Sequence, residues 1–332
     1  MTPSKLKIGD EIRVIAPSRS LGIISEENIK YALQALKAIG LNVTFSKHAS
    51  EIDMFMSSSV ESRIGDLHEA FADSKVKGIL TVLGGYNSNQ LLDHIDYELI
   101  AKNPKILCGF SDITALSNAI YANAGLVSYS GPHFSTFAMQ KGLEYTLEYF
   151  KKALFTNEEI SVISSKEWSS DGAWYLDQEN RAFYENPGMK IMNPGTAAGK
   201  ILGGNIGTFQ LLRGTSCMPS LEGTVLFLEE VASHANGVDV FEFDRNLQSL
   251  TQSPDFDGVQ AIVFGRFETS FKMTMEKFHY IIETKPKLKN IPIICDVDFG
   301  HSTPIITFPI GGWCNLCTNL DGNIELSISD RH

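Results

Sequence analysis

The chain has 332 residues, enough for two domains or one large one, and its 43% hydrophobic content is that of an ordinary globular protein. A net charge of −11 argues against nucleic acid or an anionic membrane surface as partner, since phosphate binding needs clustered Lys and Arg. No run approaches the ~18 apolar residues of a membrane span, the first residues lack the apolar segment of a signal peptide, and five cysteines are not a disulfide framework; a cytoplasmic protein is expected.

The first elements alternate. Glu11 to Ala16 reads as a strand ended by Pro17-Ser18. Ser25 opens a helix with Ile29, Ala32, Leu33, Leu36 and Ile39 on one face, and Gly40 stops it. Leu41 to Phe45 alternates as a second strand, and Ser58 with Glu61 has the spacing of a capping box for the next helix. Lys77 to Leu83 is a third strand, followed by Gly84-Gly85-Tyr86-Asn87 and a short helix. Lys105 to Phe110 is a fourth, Ser111 falls at its end, and Asp112 to Asn123 has helical spacing. A strand at Leu126 to Ser130 and a helix at Leu143 to Leu154 complete this part. Strands alternating with amphipathic helices predict a doubly wound parallel sheet, whose ligands sit at the carboxyl ends of its strands.

Residues 155 to 200 are rich in turn signals, with Trp168, Trp174, Tyr175, Phe183 and Tyr184 between them, the texture of a packed linker or a binding loop. Beyond 200, Gly203-Gly204-Asn205 leads into a helix containing Leu211 and Leu212. Strands follow at Val225 to Leu228, Ala261 to Phe264 and Ile291 to Ile294, with helices at Phe241 to Leu250 and Lys272 to Glu283. Several short strands after Thr303 make this a second α/β region, richer in β at its end. The expected division is 1–160 and 161–332.

Ser111 at a strand-to-helix corner suits a nucleophile elbow, and equally a helix cap. A serine nucleophile needs a base and a group that orients the base. His133, His234 and His301 are the histidines in suitable loops, and His301 follows a buried-looking strand and Gly300. Glu229, Glu230, Asp296 and Asp298 are the candidate carboxylates; Glu229 and Glu230 point to opposite faces of their strand, and either can be the inward one. Gly84-Gly85 offers unobstructed N–H groups which, with that of Asp112, can stabilise an oxyanion. Cys314 and Cys317 lie three apart on a strand, on opposite faces, and cannot share a metal.

These segments together resemble the LD-carboxypeptidase family of serine peptidases, which includes the microcin C immunity branch. The resemblance is carried by Ile15-Ala-Pro-Ser18, Gly84-Gly-Tyr-Asn-Ser-Asn-Gln-Leu-Leu92 and Cys108-Gly-Phe-Ser-Asp-Ile-Thr114 in the first half. Ser130-Gly-Pro132, Gly203-Gly-Asn205, Leu226-Phe-Leu-Glu-Glu230 and Asp298-Phe-Gly-His301 continue it. It implies a glutamine-amidotransferase-like first domain, a β-rich second domain and an active site between them. It also implies Ser111 as nucleophile, Glu229 as orienting carboxylate, His301 as base, and Gly85 and Asp112 as oxyanion donors. No metal or cofactor is implied, and family members are commonly homodimers.

Leu83 stands where murein enzymes of the family have arginine, and Asn87-Ser88-Asn89 where they have the last glycine of that loop. Both this and the segment Trp174-Tyr-Leu-Asp-Gln178 resemble the immunity branch, in which an aromatic loop stacks on the nucleotide of a peptidyl-adenylate. Gly84, Asn87, Asn205 and Trp174 are therefore expected at the substrate, with Trp168 and Phe183 as further stacking candidates. The expected substrate is a peptidyl- or aminoacyl-nucleotide, with a murein tetrapeptide as the alternative. A non-catalytic anion-binding protein is the rival from another class. A dinucleotide-dependent oxidoreductase is disfavoured, because Ala16-Pro17-Ser18 follows the first strand in place of G-x-G-x-x-G.

Overall fold

Strands buried on both faces carry unbroken apolar runs, and the two parallel cores of this protein are built from such runs. Val76–Thr81, Ile106–Cys108, Thr224–Glu229 and Ala261–Gly265 are almost wholly buried. The computed structural model describes residues 1–233, 237–319 and 321–330; His234 and His332 lie outside them.

Among the described residues there are a six-stranded and an eight-stranded sheet, with a two-stranded ribbon. The first sheet runs Phe308–Ile310, Ser128–Ser130, Ile106–Cys108, Val76–Thr81, Glu11–Ile15, Asn42–Phe45. Its last five strands are parallel, as the alternation of strand and helix predicts. Phe308–Ile310 joins antiparallel from the far end of the chain, a pairing with no local sequence signal. In the second sheet, Thr196–Asn205, Thr224–Glu229, Ala261–Gly265 and Ile293–Val297 are parallel neighbours. Antiparallel strands flank them, Lys190–Asn193 on one side and Trp313–Thr318, Ile324–Ser329 and Ile160–Ser161 on the other. Thr196–Asn205 is a ten-residue strand where the sequence shows only turn signals and a glycine pair. Its glycines suppress the alternation by which a strand is recognised.

The first long helix, Glu26–Ala38, is capped as expected, Ser25 accepting from the Asn28 N–H at 3.2 Å. The next, Val60–Ala72, is not: Ser59 is the cap, accepting from Ser62 at 3.1 Å. Glu61 is thereby the second helical residue, one position too early to close a capping box with Ser59. Cys314 is buried and Cys317 exposed, on opposite faces of one strand.

The two sheets meet through the helix Thr114–Ala124. The Asn118 amide donates to Gly203 O at 2.8 Å and accepts from Gly203 N at 3.2 Å, while Asn205 N donates to the Thr114 hydroxyl at 3.0 Å. Gly204 sits at φ +124°, and a Cβ there would lie 2.4 Å from Thr114 Oγ1. Only glycine lets the end of this strand approach the helix so closely.

Candidate active site

Every side chain of the site lies at or just beyond the carboxyl end of a parallel strand, in one sheet or the other. Gly84 follows Val76–Thr81, Ser111 follows Ile106–Cys108, Glu229 ends Thr224–Glu229, and His301 follows Ile293–Val297. The ends of the two sheets face a cavity of about 750 Å³ lined by Gly84, Gly85, Ser111, Trp174 and His301, among others.

Ser111 stands at φ +62°, the left-handed region a serine rarely enters, at a cost of about 1–3 kcal/mol. The turn that begins there, Ser111–Ile113, runs straight into the helix Thr114–Ala124. Asp112 holds the corner. It is 2% exposed, and its carboxylate accepts from the Ser18 hydroxyl at 2.6 Å, Asn87 N at 3.0 Å and Ser88 N at 2.9 Å. Ser88 Oγ donates back to Asp112 O at 2.6 Å. The Gly84–Gly85 loop is thus tied to the Ser111 turn by one buried carboxylate. Gly84 touches Ser111 directly: a Cβ on it would lie 3.0 Å from Ser111 Cβ and 3.1 Å from Oγ.

From the second sheet, His301 Nε2 lies 3.0 Å from Ser111 Oγ, and its Nδ1 lies 2.7 Å from Glu229 Oε2. Glu229 is therefore the inward member of its pair. Glu230 turns the other way, accepting from the Asn205 amide at 2.8 Å, Gly207 N at 3.1 Å and Val231 N at 3.0 Å.

This geometry and the sequence agree on the family. The LD-carboxypeptidase N-terminal domain matches residues 12–131, and the LD-carboxypeptidase C-terminal domain matches residues 198–316. The chain belongs to the LD-carboxypeptidase family. It is 51% identical to YocD of Bacillus subtilis (strain 168), provisionally named a carboxypeptidase, over 95% of this chain and 96% of YocD. The crystal structure of an MccF-like protein from Bacillus anthracis str. Ames superposes with a TM-score of 0.97 at 52% identity, covering 99% of each chain. Microcin C7 self-immunity protein MccF in complex with aspartyl sulfamoyl adenosine superposes with a TM-score of 0.88 at 26% identity, covering 99% of this chain and 98% of that one.

The electrostatics of this carboxypeptidase-family site are set by burial and by acids. Burial pulls His301 down most strongly. The Glu229 carboxylate, charged and hydrogen-bonded to the ring, opposes it with help from Glu268 and Glu230, and the net position is above the ordinary imidazole value. Burial, then the neighbouring Glu229 charge, pushes Glu230 up to about 7. His133, the other described histidine in a suitable loop, is not in the hydrogen-bonded line. It is 2% exposed, bonded through Nδ1 to Thr81 Oγ1 at 2.8 Å and stacked on Phe110. Burial and the His301 charge push it down to about 3, so it stays neutral.

Two residues expected at the substrate are turned to internal use. Asn205 caps the helix Ile206–Gln210, its Oδ1 accepting from Thr208 N at 2.9 Å while its amide holds Glu230. Asn87 offers its N–H to Asp112 and its Oδ1 to the Ser18 hydroxyl at 3.3 Å. Neither lines the cavity. Of the aromatic candidates, Trp174 and Tyr175 line it, whereas Trp168 packs over Arg266 and Tyr184, and Phe183 over Arg181.

Asp298, read from sequence as a candidate carboxylate of the triad, anchors the aromatic loop. It is 2% exposed and accepts from Ser165 N at 2.7 Å, the Asn186 amide at 3.1 Å and Arg266 at 3.3 Å. Three residues later the same segment delivers His301, and Thr303 pairs its backbone with Ser169. The clamping carboxylate of Asp112 and this anchor leave no local pattern; both partners' positions are needed to see them.

Proposed function

We propose that this protein is a serine carboxypeptidase that cleaves an amide or related acyl linkage in a small peptidyl- or aminoacyl-nucleotide. The observation that carries this reading is the unbroken line Glu229–His301–Ser111, drawn from two sheets and opening on one cavity. Glu229 fixes the proton of His301 on Nδ1, leaving Nε2 to take the Ser111 proton. Ser111 Oγ attacks the carbonyl carbon, and the oxyanion rests on the N–H groups of Gly85 and Asp112. His301 returns the proton to the leaving nitrogen; water then attacks the acyl-enzyme by the same base. The strained backbone at Ser111 keeps the hydroxyl forward of the sheet.

The two units are 1–160, bearing the nucleophile, and 161–332, supplying carboxylate and base; the protein acts in the cytoplasm as a homodimer, an assembly that light scattering on the purified protein tests. The nucleotide end of the substrate is assigned to Trp174, supported by its position on the cavity wall and by the MccF complex with aspartyl sulfamoyl adenosine. The deciding experiment incubates the protein with an aminoacyl sulfamoyl nucleoside and with murein tetrapeptide, following products by mass spectrometry. Release of the amino acid from the nucleoside is expected. Release of terminal D-alanine with the nucleoside conjugate intact would reverse the substrate, and labelling of neither Ser111 nor any other serine by a fluorophosphonate would leave a binding protein.

A further inference from the structure

Two charged side chains on the cavity wall, Glu268 and Arg19, make no hydrogen bond to the Glu229–His301–Ser111 line. Glu268 lies just beyond the strand Ala261–Gly265, is 8% exposed and lines the cavity. Its Oε2 accepts from Ala232 N at 2.9 Å. Among the described residues no donor reaches its Oε1, which would lie 3.2 Å from a Cβ on Gly172, itself a lining residue. Of the neighbouring acids, Asp171 is taken by Arg181 at 2.7 and 2.8 Å, and Glu229 is engaged through Oε2 by His301 and does not line the cavity. Burial raises the Glu268 carboxyl above its ordinary value, a penalty that a cationic partner relieves. On the first-sheet side, Arg19 lines the cavity beside Gly85, over the Tyr86 ring and without an ion pair among the described residues.

We propose that Glu268 is a specificity-determining residue that accepts a primary ammonium group of the substrate, the free amine of an aminoacyl group, while Arg19 faces its anionic part. A half-satisfied, desolvated carboxylate is a poor neighbour for a neutral amide and a strong one for an ammonium ion. The same wall therefore rejects the N-acylated form of an otherwise identical ligand. This deepens the hydrolase reading by choosing the aminoacyl conjugate over the peptidyl one, whose amine is acylated; it shares that reading's cavity, but it concerns binding and can be measured without turnover.

The test is calorimetric titration of Ser111→Ala protein with aspartyl sulfamoyl adenosine and with its Nα-acetyl derivative, repeated in Ser111→Ala/Glu268→Gln. The free amine is expected to bind roughly 10- to 100-fold more tightly than the acetylated form, and Glu268→Gln to erase that preference by weakening only the free amine. Glu268→Asp, which keeps the charge on a shorter arm, retains part of the preference and guards against a folding defect in the glutamine variant. Equal affinity for the two ligands before any change at Glu268 overturns the proposal. So does a preference that survives Glu268→Gln, or an equal loss for both ligands. If wild type hydrolyses neither ligand while the preference stands, the hydrolase reading fails and the ammonium site does not.

Discussion

The Ser111 elbow and the 164–188 loop border the same cavity and are held by opposite means. The elbow is a strand, a strained residue and a helix contiguous in sequence, with partners for Asp112 drawn from neighbouring loops of the same sheet. The loop has short strands only, and its anchors lie far off in the chain: Asp298, Arg266 and Thr303 in the second sheet's loops, Asn28 in the first helix of the chain. Local, apolar-framed structure gives the Ser111 hydroxyl a fixed direction. Long-range polar anchors give the cavity-facing loop a shape that depends on the two halves being assembled. His301 belongs with the second kind, because the strand and the ion-pair network behind it are what bring it to Ser111.

The largest expected effect tests whether the two regions form one catalytic unit. Ser111→Ala, His301→Ala and Glu229→Gln should each lower kcat/KM by ~10⁴, and the double variant Ser111→Ala/His301→Ala by little more than either alone. Effects that multiply would show that the two do not act together.

Next comes the loop's anchor. Arg266→Ala strands the buried Asp298 carboxylate, at a cost of roughly 3–5 kcal/mol in a denaturant unfolding experiment. It should also loosen the segment that carries His301, so kcat falls as well. A fully stable, fully active variant would break the link between loop and base.

The elbow's clamp is worth less in stability. Asp112→Asn retains the shape but loses charge-assisted bonds from Ser18, Asn87 and Ser88, roughly 2–3 kcal/mol. Fluorophosphonate labelling of Ser111 should slow in the same variant, because the Gly84–Gly85 loop is no longer tied to it.

Smaller again is Trp174→Ala. Loss of one stacking platform should raise KM for a nucleotide conjugate by ~10-fold or more, leaving kcat nearly unchanged. A matching loss on a ligand without a base would make Trp174 a packing residue of the loop.

The smallest effect is on pH dependence. In the proposed mechanism the working base is neutral His301, and Glu229 holds its titration above the ordinary imidazole value. Activity in kcat/KM should therefore fall on acidification from a midpoint above about 6.5. In Glu229→Gln the residual activity should keep its midpoint lower, since the stabilised cation has lost its partner. For folding the sign is the reverse: a raised histidine stabilises the native state below the unfolded value, and that contribution fades as pH rises through the folded one.

The alternation of Glu11–Ile15 through Ser128–Ser130 is legible in the amino-acid sequence, because each apolar run and each amphipathic face is a local pattern. The sequence placed Ser111 at a corner for the same reason, and the motifs around Glu229 and His301 were legible as a family resemblance. Tertiary structure alone decided which glutamate turns inward, since adjacent strand positions face opposite ways and only the packing of the second sheet chooses between them. It also decided that Asn205 caps a helix and holds Glu230, that Asn87 bonds to Asp112 and Ser18, that Phe308–Ile310 completes the first sheet, and that Asp298 anchors a loop more than a hundred residues earlier in the chain. Hydrogen bonds between distant residues carry no periodicity, so their partners become visible only when the chain has brought them together.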